Sequence, residues 1–197
     1  MKSMILITRC LFVVPALAVA LSGGCSNVVS VQQTPLSGGQ VLPHRAALAL
    51  DQEFTGYTYP MALVGGTDMY PMGAALQGYA QNVTSKSFQQ VDVVPSAEQG
   101  ASLNSDDSIL IPRVVKCDNS IGKWVPFVEG DISTTLVVEW TAKNRATQNT
   151  VWLKTITANG TAGWNHKSDM FQKLFDDLNL KTYKAFQEAP ELGGTRR

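Results

Sequence analysis

Apolar and polar positions alternate most cleanly between Ile132 and Thr141. Leu136, Val138 and Trp140 fall on one side of an extended chain there, and Val137, Glu139 and Thr141 on the other. A period of two predicts a strand with one buried face. Asn144 to Asn149 supplies turn residues, and Thr150 to Thr157 returns as the partner of a hairpin, with Trp140 and Trp152 as cross-strand core residues. Elsewhere the period changes to that of a helix. Met72, Leu76, Tyr79 and Val83 recur at steps of four, three and four behind Pro71, which suits a first helical turn. Phe171, Leu174, Phe175, Leu178, Thr182 and Phe186 form a longer apolar stripe. Ser168 is the expected cap of that helix, Asp169 suits its first turn, Lys181 and Lys184 its later turns, and Pro190 its stop.

Three further strands complete the pattern: Ala46 to Leu50, Phe88 to Val94 stopped at Pro95, and Ser108 to Lys116. Pro112 lies inside the last and has no amide to donate, which places that strand at an edge or on a bulge. Residues 54–71 and 117–131 read as loops rich in Gly, Pro and aromatics, and 96–107 as a polar connection. The order β, α, β, β, β, β, α predicts an α+β (or α/β) single domain. Its sheet has four to six strands, with two main amphipathic helices packed on it. The domain is expected to occupy residues 45–190. Residues 25–44, beginning at Cys25, read as a flexible tether of Ser, Gln, Gly and Pro, and residues 191–197 as a frayed tail.

The amino terminus has a separate logic. Lys2 and Arg9 precede a charge-free run from Cys10 to Leu21, which Ser22-Gly23-Gly24 ends. A positive start, a short apolar run and small residues are the anatomy of a signal peptide, here residues 1–24, and the run is too short to span a bilayer. Leu21-Ser22-Gly23-Gly24-Cys25 resembles a bacterial lipobox, with Leu one position further from the cysteine than in the commonest form. The resemblance implies that Cys25 carries a thioether-linked diacylglycerol and becomes the first residue of the mature chain. Ser26, rather than Asp, then implies delivery to the outer membrane, in the inner leaflet facing the periplasm. Ser22 and Gly24 also fit simple secretory cleavage after Gly24, which would leave Cys25 free.

Charge narrows the partners little. Lysine plus arginine and aspartate plus glutamate number sixteen each, and loss of residues 1–24 leaves a net charge of about −2. No basic field points to nucleic acid. Of the three cysteines, Cys10 leaves with the signal and Cys25 would carry lipid. Cys117, beside Val114 and Val115, reads as a buried structural thiol.

Catalytic, metal and cofactor motifs are not apparent. His44 and His166 have no partner at metal-ligand spacing, and HExxH, CxxC, GxSxG and the phosphate-binding loop are absent. The adjacent pairs Asp106-Asp107 and Asp176-Asp177 diverge in any regular element. The sequons at Asn82 and Asn159 read as chance. Aromatics beside Gly and Pro remain, and Tyr57, Tyr59, Trp124 and Phe127 are the candidate residues of a binding surface for an envelope protein. The element order and the terminal amphipathic helix are similar to envelope accessory lipoproteins with a domain like the amino-terminal domain of TolB. These include auxiliary lipoproteins of ABC-type transport systems and lipoproteins that activate cell-wall synthases. The resemblance implies a non-enzymatic binding or assembly role. The alternative is a periplasmic small-ligand carrier or hydrolase, which would need Asp118, Glu129, Asp131 or His166 to converge.

Overall fold

The computed structural model of the protein describes residues 29–63, 66–103, 107–122 and 130–194. The expected signal, Cys25, Trp124, Phe127 and Glu129 lie outside the described residues. In chain order the elements are β1 (Leu42–Ala49), α1 (Gln52–Thr55), β2 (Thr58–Leu63), β3 (Gly66–Pro71), α2 (Gly73–Ser87), β4 (Phe88–Val94) and α3 (Ala97–Ser102). After them come β5 (Ser108–Ile121), β6 (Asp131–Asn144), β7 (Thr150–Gly163) and α4 (Lys167–Gln187). A five-stranded sheet has the order β4-β1-β5-β6-β7, and β2 and β3 form a separate two-stranded ribbon. β1 runs parallel to both β4 and β5, whereas β5, β6 and β7 are antiparallel. The fold is a single α+β domain. No helix among the described residues is long and apolar enough to cross a membrane.

The helical stripes lie where the periodicity put them. Met72, Leu76, Tyr79 and Val83 are buried, as are Phe171, Leu174, Phe175, Leu178 and Phe186, so α2 and α4 share one face of the sheet. α3 closes the other face over β1, β4 and β5, with its own small cluster of Ala47, Ala49, Val94 and Ile109. Gly100 permits that approach, because a Cβ there would lie 3.1 Å from Ala47 Cβ and 3.2 Å from Ile109 Cγ2.

Several boundaries differ from the sequence expectation. Residues 96–107 contain α3, capped by Ser96, whose hydroxyl accepts from the Gln99 amide at 3.3 Å. The expected loop before α2 holds α1 and the β2–β3 ribbon instead. Tyr59 and Met61 alternate inward against exposed Thr58, Pro60 and Ala62, a period-two signal that Pro60 and the glycines obscure. β5, β6 and β7 all run past their expected ends, with polar or charged side chains at the outward positions of the extra residues: Asp118 and Ser120 in β5, Asp131 and Lys143 in β6, and Asn159 and Thr161 in β7. α4 starts at Lys167, so Ser168 lies within the first turn and is not the cap. Pro112 pairs with Trp140 two residues beyond Leu110, the last β5 residue laddered to β1. β5 also has a bulge between Val114 and Lys116, so both devices that accommodate a strand proline are present.

The residues expected to tether the domain are docked from Val29 onward. Val29 is 5% exposed, Thr34 is buried, and the segment lies along α2 and α4 before entering β1. Gly38 makes its turn at φ +84°, and Gly39 packs so closely on Tyr183 that a Cβ would sit 2.2 Å from the phenol oxygen. The expected tail is likewise ordered as far as Gly194. Leu192, in a 3-10 turn at Pro190–Leu192, is fully buried in the core.

Side-chain hydrogen bonds join the sheet to the helices. Trp140 Nε1 donates to the Tyr79 hydroxyl at 2.8 Å, and that hydroxyl is 2.7 Å from Thr182 Oγ1, so β6, α2 and α4 meet at one buried oxygen. Burial pushes the Tyr79 phenol well above its ordinary range, outweighing the opposing effect of its hydrogen bonds to Thr182 and Trp140, so it stays neutral. At the β7 edge, Lys173 Nζ donates to the Thr161 carbonyl at 3.1 Å and Lys181 Nζ to the Thr157 carbonyl at 2.9 Å. Between them the Asn159 amide donates to Asp177 Oδ2 at 2.9 Å. Side chains four residues apart on α4 thus occupy backbone groups two residues apart on the strand, blunting an otherwise open edge. Gly160 makes this proximity possible, since a Cβ there would lie 2.2 Å from the Met170 carbonyl oxygen.

Gly160→Ala therefore drives α4 off β7 and is expected to cost about 1–3 kcal/mol or more in a urea titration. A loss within error of zero contradicts the close approach. Tyr79→Phe leaves Trp140 Nε1 and Thr182 Oγ1 without their shared partner and is expected to cost about 1–3 kcal/mol. An unchanged denaturation midpoint refutes the buried junction.

Candidate functional site

The aromatic residues before α2 turn inward. Tyr59 is 2% exposed, and its hydroxyl donates to Asn119 Oδ1 at 2.7 Å, while Asn119 Nδ2 donates to the Ala62 carbonyl at 3.0 Å. These bonds pin the β2–β3 ribbon to the half of β5 that β1 no longer covers. Tyr59 is thus part of the packing and is not a surface contact, which corrects the expectation from sequence. Tyr57 is half-buried against the same cluster. Burial first, and then neighbouring Cys117 and Asp118, push its phenol up to about 12, and Tyr59 moves higher still. Cys117, on the core side of β5, is pushed up to about 12 by burial and then by Asp118. Its thiol is protonated at neutral pH, the condition of a structural cysteine rather than a nucleophile.

The candidate hydrolytic groups are dispersed. Asp118 points to the outer face of β5 and pairs with Lys116, whereas exposed Asp131 opens β6 opposite Gly163. His166 precedes α4, its Nδ1 3.6 Å from Asp169 Oδ2. No hydrogen bond or ion pair joins any two of Asp118, Asp131 and His166. Among the described residues no group of three His, Cys, Asp or Glu side chains could hold a metal ion.

The residues that do converge were given no role by the sequence patterns. A groove between α2 and α4 holds the amino-terminal segment, and a cavity of about 290 Å³ remains beneath it, lined by Val29, Gln32, Ala75, Gly78, Asn82 and Phe175. Asn82 Nδ2 donates to Asn179 Oδ1 at 3.0 Å and to the Thr34 carbonyl at 3.1 Å, while Asn179 Nδ2 donates to the Phe175 carbonyl at 2.8 Å. Thr34 Oγ1 donates to Asp176 Oδ1 at 2.7 Å. Gln172 grips Gln32 at both backbone groups, accepting from its amide at 2.7 Å and donating to its carbonyl at 3.1 Å. Near the other end, the Gln40 amide donates to Gln187 Oε1 at 2.9 Å. Both protons of the Asn82 amide are thereby committed, one to Asn179 and one to the segment above the cavity. The available signal was Val29, Val31 and Leu36 inside an otherwise polar stretch, together with two Asn residues on helix faces that bury apolar neighbours.

The other side of β5, β6 and β7 beyond α3 is uncovered. Its rows read Arg113–Glu139–Thr155, Lys116–Val137–Thr157, Asp118–Thr135–Asn159 and Ser120–Ser133–Thr161. Arg113 and Glu139 pair at 3.0 Å, Thr135 donates to Asn159 at 2.8 Å, and the Ser133 and Thr161 hydroxyls lie 2.8 Å apart. Leu153 at 57% and Val115 at 50% are its most exposed apolar side chains. These rows are neutral in sum, and half of their side chains are hydroxyls.

No family model matches the chain, and no curated protein matches it. Among solved structures it is similar to a Xanthomonas campestris protein assigned to the family DUF330, with a TM-score of 0.53 and 11% identity over 84% of this chain and 93% of that one. A neuraminyllactose-binding hemagglutinin homolog from Helicobacter pylori gives 0.47 and 8% over 79% and 89%. A minor lipoprotein from Acinetobacter baumannii gives 0.39 and 12% over 75% and 92%. The likeness to the Xanthomonas protein is one of fold.

Proposed function

We propose that the protein is a lipid-anchored envelope protein that acts as a non-enzymatic binding or assembly accessory of an envelope complex. Cys25 carries the lipid, and the domain stands at the inner leaflet of the outer membrane, facing the periplasm. The observation that carries the reading is the run Leu21-Ser22-Gly23-Gly24-Cys25 behind a charged and then apolar start. Two features of the domain support it. Asp118, Asp131 and His166 stay apart, and in the cavity beside α2 and α4 the Asn82 amide donates to Asn179 and to the chain's own segment. The uncovered face of β5–β7 is the surface on which a partner would dock, in place of Tyr59, which is buried.

Two or three acyl chains hold a protein on a bilayer far more firmly than one, at about 0.8 kcal/mol for each buried methylene. Intact mass of the membrane-extracted protein is therefore expected to exceed that of the chain beginning at Cys25 by a diacylglycerol or more. In Cys25→Ala both the added mass and the membrane association are expected to disappear. An unmodified chain starting at Cys25 in the soluble fraction overturns the reading.

A further inference from the structure

The docked segment gives the anchor a direction. Along its course, Gln40 meets Gln187, Gly39 meets Tyr183, Thr34 meets Asp176, and Gln32 meets Gln172. The chain thus runs from the end of α4 back toward its start. Val29 is reached beside Ala74 and Ala75 in the first turn of α2. Only four peptide links separate Val29 from Cys25, and even fully extended they span at most about 14 Å. β6, by contrast, has 14 residues, which extend for roughly 45 Å. An anchor at Cys25 therefore cannot serve all ends of the domain alike.

The end nearest Val29 comprises the first turns of α2 and α4 and the β3 strand that leads into α2. Its surface contains Met69, 54% exposed, and half-buried Trp164. Lys167 Nζ lies 5.3 Å from the Trp164 ring centre, 5.9 Å from that of Tyr70, and 3.6 Å from Asp68. Tyr70 in turn packs on Phe171 with ring centroids 5.3 Å apart. An aromatic ring with a polar edge, a flexible apolar thioether and a lysine on an apolar base are the side chains that tolerate a headgroup layer. The flank along the segment is different: Ser30, Gln32, Gln33, Gln40, Lys184 and Glu188 expose polar groups there. Asp68, Asp131 and Asp169 outnumber Lys167, so charge does not favour anionic lipid. Proximity and the neutral amphipathic side chains carry the contact.

We infer that this end of the domain, which contains Met69, Trp164 and Lys167, rests on the bilayer surface, and that the β6–β7 turn points away into the aqueous space. The inference rests on the lipid anchor proposed above and supplies what that reading lacks, the orientation of the anchored domain. It also sets the uncovered face of β5–β7 upright beside the membrane, available to a partner.

The test separates orientation from acylation in the cell. The chain from Cys25 onward, with Cys117→Ser, is coupled through Cys25 to a maleimide lipid in phosphatidylethanolamine–phosphatidylglycerol nanodiscs. A gadolinium-chelating headgroup lipid is included, and amide NMR signals are compared with those of nanodiscs lacking gadolinium. Signals of residues 68–70 and 164–167 are expected to lose most of their intensity, whereas those of residues 144–153 keep theirs. Equal attenuation at both ends, or attenuation along the whole of α4 to Lys184, overturns the inference. So does attenuation nowhere in the domain. Val29→Asp, which releases the segment, is expected to abolish the difference between the two ends at unchanged coupling, and persistence of that difference is equally contradictory.

Discussion

A buried side-chain amide is a demanding object, because each of its polar atoms needs a partner inside the protein. Asn82 and Asn179 put two such groups into the interface between α2 and α4. They bond to each other, and Asn179 closes on the Phe175 carbonyl of its own helix. One donor of Asn82 still needs an acceptor, and the Thr34 carbonyl supplies it. Leaving a buried donor unpaired costs about 1–3 kcal/mol, enough to fix the register of an otherwise irregular segment. Thr34 on Asp176 reinforces that bond, and Gln32 on Gln172 and Gln40 on Gln187 hold the segment before and after it. The helix pair and the amino-terminal segment thus complete one polar joint.

This joint changes the meaning of the amino terminus. A flexible nineteen-residue coil after the anchor would let the domain turn freely over a span of some 20–25 Å. The chain is instead clamped from Val29, so residues 29–41 follow the domain's own geometry. Clamp and sheet depend on each other, because α4 reaches both. Its inner stripe packs the core and its lysines occupy the β7 edge. Residues Gln172 and Asp176 hold the segment. The hydroxyl-rich face of β5–β7 stays uncovered, with its charges balanced between Arg113 and Lys116 on one hand and Asp118 and Glu139 on the other.

Much of this architecture was legible from spacing alone. Steps of four, three and four located α2, the longer stripe located α4, and strict alternation located β6, because each element buries one face and the period records it. The elements missed are those whose burial is shared or partial. β2 and β3 are short, Pro60 interrupts the alternation, and Tyr59 is held by a hydrogen bond to distant Asn119 that no local window contains. α3 presents little apolar surface and depends on Gly100 for its seat. The aromatic loop looked like a surface because Gly and Pro surround it, yet Tyr59 and Tyr70 fill the space beside β5 and α4. The clamped segment was hidden by composition. Ser, Gln, Gly and Pro describe a coil well, but here the glutamines and Thr34 serve as hydrogen-bonding groups for a surface that only the folded helix pair creates.

The central claim is that the chain is fixed to the domain from Val29 and does not trail from it. Amide hydrogen exchange on the chain beginning at Cys25 tests this most directly, read at Gln32 and Gln40, whose amides are bonded to Gln172 and Gln187. The account predicts that both exchange well below the rate of an unstructured peptide, and that both speed up together when Asn82→Ala removes the bond to Thr34. Exchange at free-peptide rates in the unaltered protein would contradict it.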